Sequence, residues 1–346
     1  MVPEPPSVQG VYEVCIGVSD PIVQLQYWEQ FGYRIGAMGE LSAVEAEALY
    51  GVRSAVRSIR LYHQTADHGL VRLMQWQTPV NAGLEMASMK TKGNRWATTL
   101  TADVLAVLNQ AEEAAAAGLP IRYSSLHWEV IYNKERHMRP FVDPAIGVRE
   151  LLLLQPLTRQ VLFERFHYSM PNYGAIAPTS PFQTSQITHM GLVIQDDRKQ
   201  TLTFYEQVLG LVRSRDDVET SYESSSAGRE LFDLKPGERF FVTSFDDPRS
   251  PVADWQQVRS GRLYIIRFPE TMTVPERFAQ ARPGCLGMSL YTYRVQGLEQ
   301  LHDRVQASEA LQVTAMVPNE FNEPSFSFTA PDGYRWALVA SPGSFS

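Results

Sequence analysis

The sequence contains little cysteine and no long hydrophobic run. Only two of its 346 residues are cysteines, Cys15 and Cys285, and they lie far apart. A framework of disulfide bonds and a cysteine-rich zinc or iron–sulfur site are therefore excluded. No apolar stretch approaches the roughly 20 residues that span a bilayer, and the N-terminal MVPEPPSVQG lacks both the basic and the apolar part of a secretory signal. We expect a cytoplasmic protein that has no membrane partner.

Positive charge is also scarce. The chain has 31 Lys and Arg against 38 Asp and Glu, which gives a formal net charge of −7. A nucleic-acid partner is not expected, because no basic excess is available to neutralise phosphates. Hydrophobic residues make up 44% and charged residues 20% of the chain, a balance typical of globular proteins. At about 100–200 residues per domain, the length predicts two domains.

The motifs of three common enzyme classes are missing. The sequence has no GxGxxG after a strand, no GxxxxGK[ST] loop and no GxSxG elbow. These absences exclude the usual dinucleotide-binding, nucleotide-hydrolysing and serine-hydrolase sites.

What is present is a recurring order of strand, turn and helix. Residues 186–213 read as a short apolar strand, a polar turn and a helix that ends at Gly210. Residues 11–35 repeat that order, and residues 96–121 and 286–305 are more degenerate copies. Strand-like segments follow each copy with no further helix between them. The repeat therefore predicts an α+β protein built from four units.

Three stretches are predicted to lie between or within these units. Residues 79–94 separate the first two units, and the proline-rich residues 169–185 form the main linker. This linker divides the chain into an expected first domain, 10–168, and a second domain, 186–341. Residues 214–230 are polar and rich in serine, and they predict a mobile loop.

Four segments resemble the vicinal oxygen chelate superfamily, the group of glyoxalases, bleomycin-resistance proteins and extradiol dioxygenases. They are ITHMGLVIQD (187–196), FYEQVLGL (204–211), APDGYRWALVAS (330–341) and, in unit two, FVDPAIGVRELLLL (141–154). The resemblance covers nearly the whole chain. It implies four βαβββ modules paired into two half-open barrels, and it does not fix a reaction.

The resemblance also implies where a metal would bind. In metal-dependent members, ligands lie early on the first strand and near the end of the last strand of each module. Two modules bring these side chains, usually His and Glu, to one divalent ion. Zn, Fe, Mn and Ni all suit such ligands.

In the first expected pair of modules, the early positions align with Glu13 and Trp96, and the late positions with Arg72 and Glu150. This set contains two carboxylates and a cation. The resemblance implies a ligand-facing cluster, whereas the alternative for Glu13 and Arg72 is a structural ion pair. For Glu150 the alternative is a salt bridge or a charge at the edge of the sheet.

In the second expected pair, the early positions align with His189 and Gly287, and the late positions with Tyr264 and Ala337. Only His189 is a usual metal ligand here, and glycine and alanine have no side-chain donor atom. His189 is interpreted as a ligand or general base, with a hydrogen-bonded structural histidine as the alternative. No cofactor is predicted, although a divalent metal held by His189, Glu150 and Glu13 stays open.

The leading functional hypothesis is the binding of a small oxygenated or aromatic metabolite in a barrel pocket, with or without metal-independent isomerase or lyase chemistry. In the catalytic version Glu13 or Glu150 is the general base and Arg72 stabilises an enolate-like oxygen. Trp96, His189 and Tyr264 are candidate ligand contacts.

Two other classes remain open. One is a metal-dependent dioxygenase, glyoxalase-type lyase or epimerase, and the other is a non-catalytic scaffold. The hypothesis places the working site in the first pair, residues 10–157, and leaves homo-oligomerisation open.

Overall fold

In the part of the chain that the structure describes, the strands form two mixed sheets, one of eight and one of nine strands. The computed structural model describes residues 6–133, 145–196, 200–251 and 254–342. Among these residues, every helix is too short or too polar to cross a membrane.

Module one begins with a long buried strand. The Asp20 side chain then accepts a hydrogen bond from Ile22 N at 2.8 Å, and Pro21 occupies the first helical turn, so the chain enters a helix at this point. The elements are β1 (Ser7–Val18), α1 (Pro21–Gln30), β2 (Tyr33–Leu41), α2 (Ala43–Tyr50), β3 (Val56–His63) and β4 (Leu70–Trp76).

Module two repeats this order. Asp103 caps its helix by accepting a hydrogen bond from Ala106 N at 3.0 Å. The elements are β5 (Arg95–Thr101), α3 (Val104–Ala116), β6 (Arg122–Tyr123), β7 (His127–Asn133), β8 (Ala145–Leu154) and β9 (Arg159–Phe166). The segment 141–154, which resembles the superfamily, begins outside the described residues, because residues 141–144 are not among them.

Module three contains an element that the sequence did not predict. The polar segment 214–230, expected to be a mobile loop, instead forms most of a strand and a short helix. The elements are β10 (Thr184–Gln195), α4 (Gln200–Thr203, continued by a π-helical turn over Phe204–Val208), β11 (Val212–Ser221), α5 (Ser226–Leu231), β12 (Arg239–Asp246) and β13 (Arg262–Phe268).

Module four closes the chain. Its elements are β14 (Gly287–Gln296), α6 (Leu298–Gln306), β15 (Val317–Pro318), β16 (Pro324–Thr329) and β17 (Arg335–Ala340). In every module the last strand pairs in parallel with the first strand, and antiparallel strands follow outward. The predicted βαβββ modules and α+β class are therefore confirmed.

The pairing of the modules differs from the expected one. One sheet has the order β15-β16-β17-β14-β1-β4-β3-β2, so it joins module one to module four. The other has the order β11-β12-β13-β10-β5-β9-β8-β6, with β7 beside β8, so it joins modules two and three. We call these the 1–4 half-barrel and the 2–3 half-barrel.

This order corrects the division into consecutive domains 10–168 and 186–341. Residues 169–185 connect two modules of the same sheet, and the chain changes sheet between β4 and β5 and again between β13 and β14. The local pattern of a module is the same whichever partner its first strand meets, so the repeat alone does not specify the partner.

The largest apolar cluster draws side chains from both sheets and from α1, α3, α4 and α6. Each sheet also has a smaller cluster of its own. In the 1–4 half-barrel this cluster includes Leu49 and Tyr50 of α2, and in the 2–3 half-barrel it includes Ala227 and Leu231 of α5. The two short helices thus pack against corresponding parts of their half-barrels.

Candidate functional site

The interior of the 1–4 half-barrel is filled by ion pairs. Arg60 Nε lies 2.5 Å and Arg72 Nε 3.2 Å from Glu13 Oε1, and a second nitrogen of Arg72 contacts Glu13 Oε2. Thr292 donates a hydrogen bond to Glu13 Oε2 at 2.8 Å. The relative exposures of the Glu13, Arg60 and Arg72 residues are only 0%, 2% and 1%. Every oxygen of Glu13 is therefore already used within the protein.

The turn between β15 and β16 supplies further carboxylates to this interior. Glu320 accepts hydrogen bonds from Tyr50 and Ser58, each at 2.8 Å, and lies 3.3 Å from Arg72. Glu323 accepts two hydrogen bonds from Arg60, at 2.9 and 2.7 Å. This turn, residues 319–323, therefore closes the half-barrel, and both of its glutamates are paired with arginines of the interior.

A glycine allows the turn to come so close. A Cβ atom added to Gly39 on β2 would lie 1.7 Å from the Glu320 carbonyl oxygen. The Phe321 ring lies against the Arg60 guanidinium, with its centroid 4.0 Å from Cζ. The backbone and an aromatic side chain of the turn thus fill space that a ligand would need.

Opposite charges balance in this interior. Arg60, Arg72 and Arg294 lie among Glu13, Glu320 and Glu323, with Arg294 and Glu323 3.2 Å apart. Burial alone raises the pKa of the Glu13 carboxyl, but Arg60 and Arg72 outweigh burial and lower this pKa to about 2. The arrangement matches the structural alternative for Glu13 and Arg72, an ion network that joins modules one and four.

The 2–3 half-barrel instead encloses a cavity of about 670 Å³. Four of the residues selected from the sequence line it: Trp96, Glu150, His189 and Tyr264. The structure therefore does not bring Glu150 together with Glu13 and Arg72, because module two pairs with module three. The expected catalytic set is split between two half-barrels, whereas the expected ligand contacts lie together.

One wall of the cavity is apolar. The Trp96 indole crosses β10 at Gly191, where an added Cβ would lie 1.8 Å from the ring, and it packs edge-on against Phe232 at 5.6 Å. Both aromatic rings belong to the smaller apolar cluster of this sheet. Other apolar residues that line the cavity include Val148, Val161, Phe163, Ala227, Leu231, Phe240, Val242 and Ile266.

His189 lies where this wall meets a polar region. Its ring centroid is 4.8 Å from that of Tyr264 and 5.2 Å from that of Phe163. Burial lowers the pKa of His189 well below its ordinary value, and nearby arginines lower it further. The imidazole is therefore neutral at physiological pH.

The Tyr173 hydroxyl lies 3.1 Å from His189 Nδ1. Burial raises the pKa of Tyr173, so this residue stays a phenol that can donate its proton to Nδ1. Donation to Nδ1 leaves the histidine proton on Nε2. His189 can then offer a neutral N–H donor to a ligand.

Tyr264 is held beside a cation. Arg262 donates a hydrogen bond to the Tyr264 hydroxyl at 3.2 Å and also contacts the Asp246 carboxylate. Burial by itself raises the pKa of Tyr264, but the charges of Arg262 and Arg215 outweigh burial and lower it below its ordinary value. This phenol is a candidate for proton transfer.

Two further arginines line the same region, and neither has a carboxylate partner among the described residues. Arg165 reaches the Met170 and Tyr173 carbonyl oxygens, each at 3.5 Å, and its guanidinium lies over the Tyr173 ring. Arg215 is exposed on β11. Within the described ranges, no carboxylate lies at ion-pair distance from either guanidinium.

The strand register refines the aligned positions. Thr98 pairs with His189, and Thr292 with Glu13, so these threonines occupy the early positions that the sequence assigned to Trp96 and Gly287. Trp96 still lines the cavity, because it lies two residues from Thr98 on the same face.

Glu150 is also placed differently. Glu150 lies on β8 and not on β9, the last strand of the module. Its partner on β9 is Phe163. Ala337 pairs with Thr292 and lies in the 1–4 half-barrel, away from His189. The alignment thus took β8 for the last strand of module two, and Ala337 lies apart from His189 because module four pairs with module one.

The residues around this cavity do not fit a divalent metal. At the positions that correspond in register, the side chains are Thr98, Phe163, His189 and Tyr264, of which only the imidazole is a strong ligand. Three arginines lower the pKa of His189, and the same positive charge repels a cation. Within the described part of the chain, no three His, Cys, Asp or Glu side chains are grouped closely enough to hold a metal ion.

The sequence analysis missed Arg165, Arg215 and Tyr173. Arg165 ends the apolar strand β9, and Tyr173 lies in the segment interpreted as a linker. Arg215 lies on a strand whose register shifts twice, on either side of this residue, so alternation does not show which side chains face inward. An arginine two residues beyond the apolar run 161–163 of β9 was the one available signal.

Comparisons with known proteins agree with this architecture. No family model and no curated protein matches the sequence. A variant of glyoxalase I from Zea mays is similar in structure, with a TM-score of 0.54 and 12% identity over 97% of this chain and 94% of that one. A candidate dioxygenase from Bacillus subtilis has a TM-score of 0.53 and 12% identity over 98% and 87%. The chain therefore has the fold of the vicinal oxygen chelate superfamily, as its sequence resemblance predicted.

Proposed function

We propose that the chain binds a small organic molecule in the cavity of the 2–3 half-barrel, without a divalent metal. The observation that carries the proposal is the cavity itself, about 670 Å³ in volume, with an apolar wall at one side and hydrogen-bonding groups at the other. Ligand sites of small molecules have this size and composition.

The apolar wall supports an aromatic or aliphatic body for the ligand. Trp96 and Phe232 present ring surfaces, and Ala227 of α5, which has a small side chain, lines the same cavity. Burying such a body contributes roughly 25 cal/mol for each Å² removed from water. His189 and Tyr264 supply the polar contacts that would orient an oxygenated group.

Metal-independent isomerase or lyase chemistry would use the same groups. Tyr264 has the lowered pKa that a proton-transfer residue needs, and the Nε2–H of His189 can stabilise a developing oxyanion. Glu13 and Arg72, expected as base and oxyanion donor, are both committed to the ion network. In this version Tyr264 takes the role first assigned to Glu13.

The binding proposal is tested with N-phenyl-1-naphthylamine, a neutral apolar molecule whose fluorescence rises on transfer from water. Titration of the wild type should give a saturable rise at one site per chain. Ala227→Trp fills the space beside Trp96 and should weaken binding by at least roughly tenfold. Ala116→Trp, on the exposed end of α3, is the matched control and should leave binding unchanged. Equal binding by both variants would contradict the proposed cavity.

Metal independence is tested by the same titration after dialysis against a chelator. We expect the affinity to stay within twofold, because among the described residues no three His, Cys, Asp or Glu side chains are grouped closely enough to hold a metal ion. Elemental analysis of untreated protein should show well under one transition metal per chain. One metal per chain that His189→Ala removes would favour the metal-dependent alternative.

A further inference from the structure

We infer that the ligand is an organic anion whose carboxylate binds between Arg165 and Arg215, beside His189. The inference deepens the proposed function and rests on it: the cavity must bind ligands for its polar end to select among them.

The first observation is the gathering of like charges. Arg165, Arg215 and Arg262 line one cavity, and the charge of each acts on His189. Three guanidinium groups around one imidazole repel each other unless negative charge compensates them. Asp246 compensates Arg262. Glu150 lines the same cavity, but among the described residues no carboxylate lies at ion-pair distance from Arg165 or Arg215.

The second observation is the contrast with the arginines nearby. Arg213 also lines the cavity, but Glu206 accepts from it at 2.8 Å and Asp216 at 2.6 Å. Asp247 lies against Arg249 at 2.6 Å. Pairing is thus the rule around the cavity, and Arg165 and Arg215 are the exceptions.

The third observation is how Arg165 is held. Its guanidinium lies over the Tyr168 and Tyr173 rings, with centroids at 5.5 and 5.1 Å, and its two carbonyl contacts are both long. Tyr168 also forms a side-chain hydrogen bond with Arg165, and the five N–H donors of the guanidinium can accommodate a further, stronger acceptor. A carboxylate matches such a planar donor in shape and charge.

The remaining polar groups fit one anionic head. A neutral His189 whose Nδ1 accepts from Tyr173 carries its proton on Nε2, and the Tyr264 hydroxyl lies beside Arg262. The acceptors of a carboxylate can therefore be satisfied by Arg165, Arg215 and His189 together. The apolar wall from Trp96 to Phe232 then holds the hydrocarbon part.

The inference is tested by displacing N-phenyl-1-naphthylamine with two competitors of the same shape, 2-naphthoate and 2-naphthamide. The carboxylate should displace the probe at a concentration at least roughly tenfold lower than the amide, because only the anion makes charge-assisted hydrogen bonds. This preference should decrease as salt is added.

Arg215→Gln tests the charge on an exposed side chain, whose replacement leaves the core intact. It should remove most of the preference for 2-naphthoate while probe affinity stays within twofold. Arg165→Lys should keep part of the preference. The matched control is Arg239→Gln, because Arg239 is an exposed residue of β12 outside the cavity. This variant should change neither the preference for 2-naphthoate nor the affinity for the probe.

Two failures are distinguishable. If the probe itself does not bind, the proposed function is wrong. If the probe binds and Ala227→Trp excludes it, yet both naphthalene competitors displace it equally, the cavity is a site but the anion inference is overturned. An equal loss of affinity for 2-naphthoate and 2-naphthamide in Arg215→Gln would also overturn the anion inference.

Discussion

The two half-barrels share one strand order and use their interiors in opposite ways. In the 1–4 half-barrel, three carboxylates and three arginines pair with each other, and the turn at residues 319–323 closes the space. In the 2–3 half-barrel, a cavity remains and two arginines have no described carboxylate partner. Charged residues inside a barrel are therefore not by themselves evidence of a ligand site. What distinguishes the two interiors is whether the protein satisfies its own charges.

The largest expected effect comes from breaking the paired interior. Glu13→Gln leaves Arg60 and Arg72 buried with less negative charge, and should lower the free energy of unfolding by roughly 3–5 kcal/mol. Tyr264→Phe in the open interior removes one hydrogen bond and should cost only about 1 kcal/mol. Urea denaturation of both variants measures the difference. Equal losses would show that the two interiors are not used differently.

Acid should act mainly on the same paired interior. The pKa of Glu13 is lowered from 4.5 to about 2 on folding, so its stabilising contribution is complete above pH 4.5 and is lost as the pH falls through 2. Between pH 5 and pH 3 this loss amounts to about 2 kcal/mol. The pH dependence of unfolding in Glu13→Gln should be shallower by that amount, and an unchanged slope would contradict the pairing.

The smallest expected effect is a change in the titration of Tyr264, which lines the cavity of the 2–3 half-barrel. Arg215 helps to lower the pKa of Tyr264, so Arg215→Gln should shift that titration to higher pH. The absorbance of tyrosinate near 295 nm should show an early-ionising group in the wild type that is absent from Tyr264→Phe. An identical early phase in Tyr264→Phe would mean that another residue ionises there.

The modules could be predicted from the sequence because their signals are local. Asp20 and Pro21 start a helix directly after a strand, and Gly32 follows the end of this helix, whatever the rest of the chain does. The choice between β5 and β14 as the partner of β1 is not local. It depends on fits such as that of Trp96 over Gly191, which no single segment contains.

The site was predictable in part for the same reason. Trp96, His189 and Tyr264 were found because the resemblance marks positions on strands, and these positions converge when modules two and three pair. Arg60 and Glu320 were missed, and with them the explanation of Glu13. A glutamate in a turn usually faces solvent, and only the closed structure shows that Glu320 faces inward.

The most direct test of the account is a crystal structure of the protein with bound 2-naphthoate. The account predicts the naphthalene ring beside Trp96 and Phe232, with its carboxylate about 3 Å from Arg165 and Arg215, and an unchanged turn at residues 319–323. Electron density for the ligand between Glu13 and Arg72, with that turn displaced, would contradict it.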